Sequence, residues 1–241
     1  MSMQAELGSN RTGIATAPEL SQRMLEGTME FPPSSPGDEQ EIARVREAYV
    51  KESEPLGSVP PPADVAGMVK TAIKGLRGTK PTQFIDKLGE RLAFERSGVR
   101  LYEAVLSKLS STDGVDNGPQ RSELERIMLE EYEHFKMLVS AVTRLGGDPT
   151  VMTPSADLHA TMTKGILEVA VDPRTNLAQC LEALLVVELA DNECWDALVE
   201  MAQTQGEDEL VSSFTRAREE EDEHLLRVRA WVAAAQDRLP R

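Results

Sequence analysis

From Pro81 onward, apolar residues recur three and four positions apart with no sustained alternation of period two, a pattern that predicts long amphipathic helices and no sheet. Four spans follow from the punctuation. The first runs from about Thr82 to Ser110 and stops at the Gly, Asn and Asp of STDGVDNG. The second begins near Pro119, with Ser122 and Glu125 spaced as a capping box, and ends at Gly146 and Gly147. The third opens at Asp172 and Pro173, read as an N-cap followed by proline in the first turn, and ends before Gly206. The fourth extends from about Glu207 to Asp237. Residues 147–171 form a long connection between the second and third, with a short helix expected in SADLHATMTKGILEV. The outer loops are short, so the first and second helices, and the third and fourth, are expected as antiparallel neighbours.

Residues 1–80 differ in kind. They hold eight of the fourteen prolines, which interrupt any long helix or central strand. The expected organisation is an irregular proline-rich arm over residues 1–80 and a helical domain over 81–241. Two short helices are expected in the arm, Asp38–Lys51 and Ala63–Leu76, the second carrying Lys70 and Lys74 beside Val69 and Ile73. Its charge favours packing on the acidic domain or on a partner subunit over lying on lipid.

Composition narrows the classes. The net charge of -15 repels phosphate backbones, so nucleic acid is not an expected partner. No apolar run is long enough to span a bilayer. The N-terminal MSMQAELGSNRTG lacks the basic and apolar regions of a secretory signal, and the expected location is cytoplasmic. Cys180 and Cys194 lie fourteen residues apart on one predicted helix, about 21 Å of rise, too far to pair. No CxxC occurs, which leaves neither a zinc ribbon nor a thiolate iron centre.

The chemistry lies on the inward faces. On the second helix Leu124, Ile127, Leu138 and Val142 form an apolar stripe with Glu131 and His134 inside it. On the fourth, Phe214, Ala217, Leu225 and Val228 flank Glu221 and His224, again Glu-x-x-His. Glu95 interrupts the stripe of the first helix and Glu188 that of the third. Residues equidistant from a hairpin loop share a height: Glu95 and Glu131 centre on the first loop, and Glu188 and Glu221 on the turn near Gly206. Four carboxylates and two imidazoles at one level of an apolar bundle would be costly alone. Two divalent cations would balance four carboxylates, and oxygen ligands with one nitrogen per metal suit iron or manganese better than structural zinc.

One carboxylate, Glu-x-x-His, a long crossover, one carboxylate and Glu-x-x-His again, over roughly residues 82–238, resemble the ferritin-like di-iron carboxylate superfamily. The resemblance implies an all-α, ferritin-like four-helix bundle with a long crossover between the second and third helices, plus the irregular arm. It implies two iron ions, with manganese as the other candidate. Glu131 and Glu221 would bridge, Glu95 with His134 would bind one ion, and Glu188 with His224 the other. Asp191, three after Glu188, resembles the extra carboxylate of rubrerythrins, and Tyr102, seven after Glu95, sits where the superfamily often has a tyrosine near the metals. His159 reads as surface or packing. Glu130, Glu133, Glu219, Glu220 and Glu223 read as a solvated acidic surface.

The function implied is oxidation of Fe(II) or reduction of O2 or peroxide, with an external electron donor if catalytic, because the rubredoxin-like CxxC relay is missing. The sequence ends soon after the fourth helix, at AAAQDRLPR, so the fifth helix of cage ferritins is not expected. Two other readings stand beside it: a bundle with structural metals acting through a partner, and an oxygenase on an organic substrate. The apolar run Leu184, Leu185, Val186 and Val187 needs cover on two sides, which the crossover helix or a second copy could supply, so a homodimer or higher oligomer is expected.

Overall fold

The computed structural model describes residues 15, 17–32, 38–54, 56, 59, 81–111 and 117–236. The predicted helix Ala63–Leu76 lies outside them. The chain divides into two compact units, with the boundary after residue 55. The first contains α1 (Pro18–Glu30) and α2 (Glu39–Glu52), neither with a buried residue. Helix α2, expected over Asp38–Lys51, is capped by Asp38, whose side chain accepts from Glu41 N at 2.8 Å. Helix α1 was not anticipated from the pattern; it starts on Pro18, which pre-sets the first helical turn.

The second unit contains α3 (Pro81–Ser110), α4 (Arg121–Arg144), α5 (Pro154–Val171), α6 (Leu177–Gln205) and α7 (Asp208–Gln236). Among the described residues the protein is all-helical, as expected for a ferritin-like bundle. Helices α3 and α4, and α6 and α7, pack as neighbours, while α4 and α7 meet only sparsely. Two groups of core side chains lie toward opposite ends of the bundle. Phe94, Tyr102, Leu184 and Trp231 belong to one, and Leu88, Leu138, Trp195 and Phe214 to the other. Glu95, Glu131, Glu188 and Glu221 lie between them along the helices.

Three local details differ from expectation. The capping box of α4 uses Gln120 and Glu123, so the helix begins before Ser122 can cap it. Helix α6 starts at Leu177, where Asn176 and Gln179 form the reciprocal box. Asp172 instead closes α5, and its carboxylate accepts from the backbone N of Arg174 at 2.8 Å and from the Arg174 side chain. The proline after Asp172 thus belongs to a turn. Third, the crossover helix is eighteen residues long.

Helix α5 is fastened to α3 at both ends, which fixes it in the same direction. At its start Thr153 Oγ1 donates to Asp86 O at 3.1 Å, and Ser155 N and Oγ donate to the Asp86 carboxylate at 2.9 and 2.7 Å. Beyond its end Lys108 Nζ donates to Asp172 O and Thr175 O at 2.7 and 3.0 Å. It also covers α6: Val187 is buried near Ile166 and Leu167, and Val186 stays exposed.

Gly89 permits the close approach of α3 and α5. A Cβ there would lie 2.5 Å from Thr153 Oγ1 and 2.6 Å from its Cγ2, and Thr153 cannot swing away because its hydroxyl also caps α5. Alanine in a helix interior normally gains about 1 kcal/mol over glycine. Here Gly89→Ala is expected to destabilise the protein, by about 1–3 kcal/mol from overpacking, read as a lower midpoint in urea unfolding.

Candidate metal centre

Four helices bring seven ionisable side chains together: Glu95 from α3, Glu131 and His134 from α4, Glu188 and Asp191 from α6, and Glu221 and His224 from α7. None is more than 2% exposed. The helical period places each on its inward stripe. Asn192 then ties two helices at this level, its Nδ2 donating to Glu188 O at 3.0 Å and Glu221 O at 3.1 Å. Gly98 supplies the space for a carboxylate, since a Cβ there would collide with Glu131 Oε2.

The potential ligand atoms fall into three overlapping groups, within each of which they lie no more than 4.8 Å apart. One holds Glu95, His134 and Glu221; another holds Glu131, Glu188, Glu221 and His224; the third joins Glu95, Glu131, Asp191 and Glu221. Both imidazoles turn Nδ1 inward. His134 Nδ1 lies 2.8 Å from Glu221 Oε1 and 3.7 Å from Glu95 Oε2. His224 Nδ1 lies 3.0 Å from Glu221 Oε2 and 3.5 Å from Glu131 Oε1.

The outer nitrogens are occupied too. His134 Nε2 donates to Glu220 Oε2 at 2.7 Å, and His224 Nε2 to Glu130 Oε2 at 2.9 Å. Each imidazole is therefore oriented by the carboxylate that precedes the motif glutamate on the opposite helix, an arrangement that fixes which nitrogen is free to ligate. Glu130 and Glu220 are thus correctly placed not on an idle acidic surface but against the histidines. The signal was present, because Glu-Glu-x-x-His occurs in both helices.

Two further contacts set the electrostatics. Tyr102, fully buried, donates its hydroxyl to Glu188 Oε1 at 2.5 Å. Arg91, one turn before Glu95 and 2% exposed, donates through Nη2 to both Glu95 Oε1 and Asp191 Oδ1. Sequence reading missed Arg91, because an Arg four residues before a Glu usually marks a solvent-facing pair. His159 is buried against the Phe94 ring, centroids 4.4 Å apart, and joins none of the three groups.

Four buried carboxylate oxygens have no hydrogen-bond partner, Glu95 Oε2, Glu131 Oε2, Glu188 Oε2 and Asp191 Oδ2, while Glu221 Oε1 has only His134 Nδ1 at 2.8 Å. Buried acceptors are nearly always paired, and such a concentration of unpaired oxygens in one place is a donor set that a cation could take. Arg91 cancels one of the five negative charges, and two divalent cations would cancel the other four. The donor set fits such a pair, and these buried carboxylate and histidine groups can hold metal.

The sequence matches a family profile described as a ferritin-like domain over residues 112–237, just over half of the chain. The chain belongs to the ferritin-like family. The matched stretch of this ferritin-like protein carries both Glu-x-x-His motifs, Glu188 and Asp191, while Glu95 and Arg91 precede it. No curated protein and no solved structure gave a significant match.

Protons and metal ions compete for the same lone pairs in this ferritin-like centre. Burial disfavours a charged His134, yet its contacts with Glu221 and Glu95 prevail and hold its pKa up at about 11. His224 is raised likewise, against burial, by Glu130, Glu131 and Glu221. Burial, then the charge of Glu221, pushes Glu188 up to about 8, and burial with the same neighbour raises Glu131. For Glu221, burial is outweighed by the two imidazoles, which hold it down at about 2. Near neutral pH a metal must therefore displace protons from both histidines and from Glu188. Affinity for divalent metal is expected to rise with pH between about pH 6 and pH 8, roughly tenfold per pH unit for each proton released. Titration calorimetry in buffers of different ionisation enthalpy counts those protons, and no net release would contradict the protonation described.

Proposed function

We propose that this protein is a di-iron carboxylate oxidoreductase of ferritin-like type, which oxidises Fe(II) or reduces O2 or peroxide inside the bundle. The observation that carries the reading is the set of orphaned carboxylate oxygens, supported by two inward Nδ1 atoms on doubled Glu-x-x-His motifs. Glu95 and His134 would hold one ion and Glu188 and His224 the other, with Glu131 and Glu221 between them. Iron is favoured, with manganese the other candidate, because the donors are mainly carboxylate oxygens with one imidazole for each ion. Two bound ferrous ions supply two electrons for reduction of O2 or peroxide.

The chain's own groups do the rest. Glu130 and Glu220 hold the imidazole rings so that Nδ1 faces inward. Tyr102 fixes one oxygen of Glu188 and leaves Oε2 free, and its own proton is held firmly, since burial and then the Glu188 charge raise its pKa. Asp191, kept on Arg91 through Oδ1, presents Oδ2 as an additional acceptor beside Glu95 and Glu131. A cleft of about 530 Å³ between α4 and α7, lined by Glu130, Glu133, His134 and Glu220 among others, gives aqueous ions an approach to the His134 end. An external reductant would return electrons in a catalytic cycle, and self-association remains part of the proposal for the exposed Val186 face.

Adding Fe(II) anaerobically and then O2 to the apoprotein tests this. Rapid oxidation of two irons per chain, followed by ferric absorption, supports it; faster oxidation by peroxide assigns a peroxidase. Binding without oxidation supports structural metals, and turnover only with an added organic molecule supports an oxygenase. Glu220→Ala is expected to lower metal affinity roughly 10–100-fold by freeing the His134 ring, measured by competition with a chromogenic chelator.

A further inference from the structure

The two potential metal positions are not electrostatically alike, and the difference lies in one side chain. Arg91 is buried, with its guanidinium carbon 4.3 Å from the Phe94 ring centroid and 5.2 Å from that of Trp195. The two rings wall it in, and Phe94 is itself covered by His159 of the crossover helix. A guanidinium so placed cannot swing into water without giving up both aromatic faces and both carboxylates. It also keeps its charge, because a guanidinium is not deprotonated in proteins.

Arg91 acts on one end only. Its Nη2 occupies Glu95 Oε1 and Asp191 Oδ1, leaving Glu95 Oε2 and Asp191 Oδ2 without partners. Glu95 belongs to the group with His134 and Glu221. In the group with His224, the corresponding hydrogen bond to Glu188 comes from the neutral hydroxyl of Tyr102. Each outer carboxylate thus keeps one free oxygen, but only the His134 end has a fixed cation in contact with its ligand. Asp191, held by the same guanidinium, offsets part of that charge, but Arg91 still takes one oxygen of Glu95 that an ion at the His134 end would otherwise share, and it repels an arriving dication there more than at the other end.

We propose that Arg91 is a positioning residue that grades the two metal positions: as a built-in cation competing for Glu95 and Asp191, it makes the His134 position the weaker, so divalent ions fill the His224 position first. This rests on the di-metal reading above. Loading is then sequential, and a chain with one ion carries it at the His224 end.

Titrating the full-length apoprotein with Mn(II), followed by calorimetry and by the EPR signal of the bound ion, reads the order directly. The wild type is expected to bind one ion tightly and a second at least about tenfold more weakly, with the six-line signal of an isolated ion at one equivalent. His134→Ala should remove the weak step and spare the tight one, and His224→Ala should remove the tight one. Arg91→Met should tighten the weak step at least about tenfold, whereas Arg91→Lys, which keeps the charge, should preserve the gap. Two indistinguishable steps in the wild type, loss of the tight step in His134→Ala, or a gap unchanged in a folded Arg91→Met would overturn the inference. Should Arg91→Met not fold, the wild-type, His134→Ala and Arg91→Lys titrations still decide the order. A wild type that binds no ion overturns the di-metal reading itself, an outcome distinct from two ions bound equally.

Discussion

Carboxylates repel one another, and burial removes the water that would screen them. Glu95, Glu131, Glu188, Glu221 and Asp191 are nonetheless gathered at one level of an apolar bundle. Everything around them answers that repulsion. Arg91 neutralises one charge, the imidazoles of His134 and His224 stand between others, and burial raises the pKa of both Glu131 and Glu188. These are partial substitutes for cations, and the oxygens they leave without partners are acceptors that could hold a metal ion.

Such an arrangement survives only if the helices cannot slide. A shift of one residue along α6 or α7 would move a carboxylate by about 1.5 Å and turn it about 100° away from its neighbours. Asn192 resists this by bonding the backbone carbonyls of Glu188 and Glu221 together. The crossover helix contributes at a distance, being fastened to α3 at Asp86 and at Lys108 and closing the side of the bundle on which Phe94 lies. Glycine serves the same end in two places: Gly89 lets α5 come close, and Gly98 makes room for the Glu131 carboxylate. Stability is conceded at those helical positions in return for geometry.

The two motifs also make an approximate two-fold relation between α4 and α7. In each, the glutamate before the motif reaches across to the histidine of the other, Glu130 to His224 and Glu220 to His134. Because α4 and α7 touch sparsely elsewhere, these crossed hydrogen bonds bridge them where they are otherwise far apart. The relation is broken on the other side, where α3 offers Arg91 at one end and Tyr102 at the other. Symmetric ligands are therefore held in an asymmetric field.

The helical class, the four long helices and the inward stripes were legible because apolar periodicity is a property of the chain alone. The common level of Glu95, Glu131, Glu188 and Glu221 was legible too, since a short loop between straight helices converts sequence distance into height. The start of α4 lies within two residues of the expected one but uses a different cap pair, and α6 starts about one turn later than expected, because several polar residues compete there and only the packed neighbours choose among them. Arg91 is not legible as part of the centre, and the repeated Glu-Glu-x-x-His marks Glu130 and Glu220 without saying what they face. Periodicity says which face of a helix avoids water, but not which other helix covers it: whether Arg91 meets solvent or Asp191, and whether Glu220 points outward or at His134, depends on how separate helices approach, which only their joint packing decides.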